Sequence, residues 1–187
     1  MTDELLTPEE RFNFAVNFVL QHEGGLTDNK KDAGGITNFG ISLRFLKSAG
    51  ININCDEHID ENDVLALDKE KAKDIYRIFW WDKYRYESIN DIRIAAKIFD
   101  MSVNMGATQS HKITQKSINR YIPNPISVDG VMGGTTIASI NQLCNSGASL
   151  ALLSEIRRNC AYFYTSLIDD NQSLSVFNKG WLRRAAS

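Results

Sequence analysis

At 187 residues, with a formal net charge of −2 and a pI near 5.9, the chain suits one compact domain, or one domain with a small lobe. The slight acidic balance excludes a nucleic-acid binder of the usual basic kind. Three cysteines without a C-x-x-C pair, and three histidines without ligand spacing, argue against a zinc or redox centre. Buried thiols are the default expectation for Cys55, Cys144 and Cys160, with a Cys144–Cys160 bridge left open. No run is long enough to span a membrane, and Met1-Thr2-Asp3-Glu4 has neither the basic nor the apolar region of a signal peptide.

In chain order, Thr7-Pro8-Glu9-Glu10 predicts a helix start, with a capping hydroxyl, proline at the first position and glutamate three residues after the cap. Phe12, Ala15, Val16 and Val19 form the stripe of a core-facing helix. Four residues beyond Val19 the same register reaches Glu23, so Glu23 is aimed inward. Gly24 and Gly25 then stop the helix. Burial and the negative end of the helix dipole would both favour a protonated Glu23, suited to donating a proton to a leaving oxygen. Asp28 and Asp32 follow in a polar, Gly-flanked loop. Two carboxyl groups in contrasting surroundings form the pattern that glycoside hydrolysis uses, although the loop also reads as plain turns.

Strand-type alternation is nearly absent, so the fold expected is all-α. Ile41 to Ala49 reads as a short helix closed by Gly50, and Ile51 to Glu61 as a polar connection whose acids lack EF-hand spacing. Asp68 caps a helix to about Trp81, with Ala72, Ile75, Tyr76 and Phe79 inward. The rings that follow include Trp81 and Tyr84, candidates for stacking on sugar faces. Asp91 opens a helix to Met105 that is apolar nearly all round and should be central. It carries Asp100 and Asn104 one turn apart. A helix from Thr108 or Ser110 to Tyr121 breaks at Pro123-Asn124-Pro125. A turn at Ser127 to Gly133 leads into a helix with Ile137 and Ile140 inward. Ala148 to about Leu167 is a long amphipathic helix, and the tail holds Trp181, followed by Arg183 and Arg184, which read as solvated charge.

His22-Glu23-Gly24-Gly25, then Asp32-Ala33-Gly34-Gly35-Ile36-Thr37-Asn38-Phe39-Gly40-Ile41-Ser42, resembles the signature of the glycoside hydrolase family 108 N-acetylmuramidases, also called secretion-activator or phage-lysozyme-like proteins. That signature is roughly E-G-G-Y, an Asp-rich loop, then D-P-G-G-x-T-N-x-G-I-T. Leu26 stands in place of its aromatic residue, and Ala33 in place of its proline. Glu70 to Asp82, Phe99 to Gly106 and Phe177 to Arg184 resemble later segments of the same family. Ser127 to Asn141 is similar to the V-D-G-x-x-G-P-x-T repeat of small peptidoglycan-binding modules, with Gly134 where that repeat has proline. Phage-type lysozymes space Glu, Asp and Thr as E-x8-D-x5-T; Glu23, Asp32 and Thr37 follow this with one residue fewer at the last step.

The resemblance implies a lysozyme-like helical catalytic region over residues 1–107 and a small C-terminal helical lobe over 108–187. It implies a peptidoglycan hydrolase that cuts the β-1,4 bond after N-acetylmuramic acid. Glu23 would be the acid and Asp32 the second carboxylate, preferred over Asp28. Thr37 would orient water, and Asn38, Trp81, Tyr84 and Asn104 would contact substrate. No metal or cofactor is implied. The partners expected are peptidoglycan glycan strands, together with a holin or export route that carries a leaderless endolysin from the cytoplasm to the wall. The rival readings are a lytic transglycosylase acting on the same bond and a non-enzymatic wall-binding or secretion-accessory protein.

Overall fold

The computed structural model describes residues 6–23, 26 and 36–187. The first helix, α1 (Pro8–His22), begins at a capping box: Glu10 N donates to the Thr7 hydroxyl at 3.2 Å, and Thr7 N donates to the Glu10 carboxylate at 2.8 Å. Phe12, Ala15, Val16 and Val19 are its buried face, as the periodicity predicts. The chain leaves the helix at Glu23, whose backbone is extended (φ −82°, ψ 129°).

A small antiparallel hairpin follows, β1 (Thr37–Asn38) and β2 (Ile41–Ser42), with Thr37 opposite Ser42 and Asn38 opposite Ile41. Its two turn residues, Phe39 and Gly40, both have positive φ (51° and 77°). This is the primed two-residue turn whose twist matches a hairpin. The sequence reading had a helix beginning at Ile41. The helix α2 (Leu43–Ala49) begins two residues later, because the Ser42 hydroxyl accepts Phe45 N at 3.1 Å and so acts as the cap. Gly50, with φ 67°, ends it.

The polar connection after α2 is organised by Asp63, a fully buried acid of the short helix α3 (Glu61–Leu65). Its carboxylate accepts the backbone N–H groups of Ile53 (2.6 Å), Asn54 (3.3 Å) and Asp60 (2.8 Å). Asp68 caps α4 (Lys69–Tyr76), which widens into a π-helical turn at Arg77–Asp82. The extra residue of that turn rotates the side chains that follow: Trp81 goes into the core at 2% exposure, while Phe79 and Trp80 stay half-buried.

Asp91 caps α5 (Ile92–Met105), the central helix, buried on nearly every face. Around it pack α1, α6 (Ala107–Ile118) and α8 (Ser149–Asp170). The helix α6 starts directly at Gly106, a little earlier than the sequence suggests. Gln115 donates to Asp129 and Val131 in the turn before α7 (Gly134–Asn145) and to Thr136 in its first turn, which ties that turn to α6. The last helix, α9 (Asn178–Ala186), lies against α8. One apolar cluster takes in Phe12, Phe99, Ile156 and Ala185, so the chain's two halves share a core. Cys160 is a free thiol inside it, and the Cys144–Cys160 bridge is not made. Among the described residues no helix is long and apolar enough to cross a membrane.

Asp63 generates a pH prediction. Burial pushes its carboxyl up, but the three backbone donors outweigh that and hold it below the ordinary value. A folded-state value below the unfolded one stabilises the fold above about pH 4 and ceases to do so as pH falls through the lower folded value. Asp63→Asn should therefore lower the denaturation midpoint at about pH 7 by more than at about pH 3. A deficit independent of pH would contradict this.

Candidate active site

Glu23 stands where α1 ends, and four elements meet around its carboxylate. Val19 O holds its backbone N–H at 3.2 Å, the last turn of the helix. Its Oε1 accepts Arg184 Nη2 of α9 at 2.7 Å. The side chain is 16% exposed, so a substrate can reach it. On the other side lies the hairpin turn: a Cβ placed on Gly40 would fall 2.5 Å from Glu23 Oε2 and 2.7 Å from the Tyr76 hydroxyl. Glycine suits the position, because a side chain there would strain the left-handed backbone and push the Glu23 carboxylate aside. Tyr76 donates to Phe39 O at 2.8 Å, bracing the turn from below. Burial first, and then the Glu23 charge, hold the Tyr76 phenol well above its ordinary value, so it remains a hydrogen-bond donor.

Arg184 is itself fixed. Its Nε donates to Asp100 Oδ2 at 3.1 Å, and its Nη2 lies 2.8 Å from Asp100 Oδ1. Asp100 is fully buried on α5 and also accepts His22 Nδ1 at 3.1 Å. Burial disfavours the guanidinium charge, but Asp100 and then Glu23 outweigh it and raise the group above its ordinary value. Lys97, also buried on α5, donates to Arg184 O at 2.5 Å. The result is a buried set of charges linking α1, α5 and α9. The sequence reading differs on two points. It gave Glu23 apolar, electronegative surroundings, whereas one carboxylate oxygen carries an ion pair. It also treated Arg184 as solvated charge, whereas Arg184 is only 7% exposed.

Residues 16–106 match the family described as glycosyl hydrolase 108, and residues 109–186 match the predicted peptidoglycan domain. The segment 16–106 belongs to the glycosyl hydrolase 108 family. Among solved structures, Brucella abortus SagA is similar over 95% of this chain and 91% of its own, at 27% identity and a TM-score of 0.72. No curated protein matches. The family makes this chain a glycoside hydrolase, and the second match directs it to peptidoglycan.

Within that frame the expected site residues divide. Asp32 and Asp28 lie outside the described residues. Thr37 is half-buried on β1, opposite Ser42 and three residues from Gly40. Asn38 is not available to a sugar: it is 9% exposed, and its amide donates to Val64 O and Leu67 O, both at 3.2 Å. Those bonds anchor the hairpin to the α3 segment. Trp81 is likewise corrected from groove to core, packed against Phe12, Tyr86 and Phe99. The half-buried Trp80 packs on Tyr76, which braces the hairpin, and on Phe45, at 5.5 Å and 5.1 Å between ring centroids. Tyr84 packs on His111 and Tyr86. Asn104 is exposed and accepts the Tyr164 hydroxyl at 2.6 Å.

A depression of about 460 Å³ opens elsewhere, at Arg11, Glu87, Asn90, Asp91 and Ser149. Its buried acid, Asp91, caps α5 and pairs with Arg93, so this hollow is a seam between elements rather than a reaction site.

The hairpin contact is open to test. Gly40→Ala places a methyl group against Glu23 and forces a left-handed alanine, which costs about 1–2 kcal/mol from the backbone alone. Displacing the carboxylate should lower turnover by on the order of 100-fold. Full activity in a Gly40→Ala protein, measured beside its melting temperature, would show that the turn does not set the position of Glu23.

Proposed function

We propose that the chain is an N-acetylmuramidase, cleaving the β-1,4 bond between N-acetylmuramic acid and N-acetylglucosamine with Glu23 as general acid. The observation that carries this reading is the unequal placement of the two Glu23 oxygens. Oε1 is engaged by Arg184, while Oε2 faces the hairpin turn at Gly40. In the reaction, Oε2 would deliver a proton to the bridging oxygen as the C1–O bond breaks. Water would then add to C1 and return a proton to the carboxylate. Asp32 is the proposed second carboxylate, and Thr37 the residue that orients the water. Asp100 cannot take the second role, because it is fully buried and held by Arg184 and His22. Trp80, half-buried against Tyr76, is a better candidate than Trp81 for stacking on a sugar ring. A peptidoglycan substrate would place the work of the enzyme in the cell wall.

The same arrangement also serves a lytic transglycosylase, which needs one acid and no water. Mass spectrometry of the digest separates the two: hydrolysis leaves a reducing muramic acid, and transglycosylation leaves its anhydro form. Glu23→Gln keeps the shape of the side chain and removes the proton. It should lower peptidoglycan clearing by at least about 1,000-fold with little change in melting temperature. Equal clearing by wild type and Glu23→Gln would remove Glu23 from the chemistry.

A further inference from the structure

The segment matched to the predicted peptidoglycan domain contributes Arg184 directly to the carboxylate of the first segment. Two chain positions 161 residues apart are joined there by a 2.7 Å bond. The rest of α9 is fastened so as to keep that bond in place. Lys97 Nζ and Ser187 Oγ both donate to Arg184 O, at 2.5 Å and 2.7 Å, and Arg157 donates to Ser187 O. Ser187 Oγ also lies 3.1 Å from His22 Nε2, beside Glu23 in the chain. One turn earlier, Trp181 stacks on Tyr164 at 5.1 Å.

The geometry makes Arg184 the fixed partner and Glu23 the guided one. Asp100 holds the guanidinium at two nitrogens and would do so without Glu23. Glu23, in contrast, leaves α1 in extended backbone, so its own helix no longer restrains its side chain. A buried cluster of this kind is a poor source of stability, since desolvation offsets much of the attraction between the charges. It does fix a carboxylate rotamer, and a fork-shaped guanidinium does so better than an ammonium.

We infer that Arg184 is a positioning residue: it engages Oε1 of Glu23, reserves Oε2 for proton transfer, and so makes docking of α9 a condition of activity rather than an accessory to binding. This rests on the reading of Glu23 as the acid.

The test uses the full chain in four variants: Arg184→Ala, Arg184→Ala/Asp100→Asn, Arg184→Lys and Glu23→Gln. The double variant removes the buried acid that Arg184→Ala would strand, so a folded protein is available even if the single variant unfolds. On soluble peptidoglycan fragments, kcat of the folded Arg184→Ala proteins should fall roughly 100-fold while KM moves less than about threefold. Guanidinium ion at millimolar, non-denaturing concentration should restore at least about tenfold of that loss, where sodium chloride at equal strength does not. Arg184→Lys should remain impaired by about tenfold, and Glu23→Gln should be inactive and unresponsive to guanidinium. A folded Arg184→Ala or double variant with wild-type kcat, beside an inactive Glu23→Gln, would overturn the positioning role and leave the acid standing. A loss of kcat that guanidinium does not reverse and that follows the loss of melting temperature would overturn it as well, in favour of a structural role. Wild-type activity of Glu23→Gln would remove the acid and this inference together.

Discussion

The interaction on which the rest depends is the bridge from Asp100 through Arg184 to Glu23. Each member comes from a different helix: α5 at the centre, α9 near the end, and the exit of α1. Neither of the two buried charges is stable in its place alone. Asp100 has no solvent contact, and Arg184 almost none. Glu23 meets Arg184 at the exit of α1, with 16% of its side chain exposed. Together they satisfy one another, and in doing so they fix the angle at which the active carboxylate leaves its helix.

The second constraint is one of space. The turn of the hairpin reaches Glu23 only because residue 40 has no side chain, and Tyr76 holds that turn in place from α4. Asn38 fastens the hairpin to backbone carbonyls in α3 and just after it. The carboxylate therefore lies between an ion pair and a backbone turn, with one oxygen assigned to each. This division of labour allows a side chain at a helix end, and not deep inside an element, to be held firmly enough for proton transfer.

Much of this was legible from local pattern. The capping box at Thr7, the stripe from Phe12 to Val19 and the continuation of its register to Glu23 depend on neighbours within a few turns, and the structure follows them. The central position of α5 followed from its all-round apolar face. The errors have long-range or cooperative causes. Arg184 could not be paired with Glu23 from spacing, because helix packing decides which residues meet across most of the chain. Trp81 was assigned to the groove from the density of rings after Phe79, and the π-helical turn instead carries it into the core. Asn38 sits in a motif that suggests sugar contact, yet its amide fulfils backbone needs that only the folded hairpin creates.

The most direct measurement is a crystal structure of the wild-type protein with a thioglycoside-linked glycan that it cannot cleave. The account predicts the bridging sulfur within about 3.5 Å of Glu23 Oε2, with Oε1 still on Arg184. A glycan bound with its linking atom beyond reach of Glu23, or an Arg184 that has left the carboxylate when the glycan is bound, would contradict it.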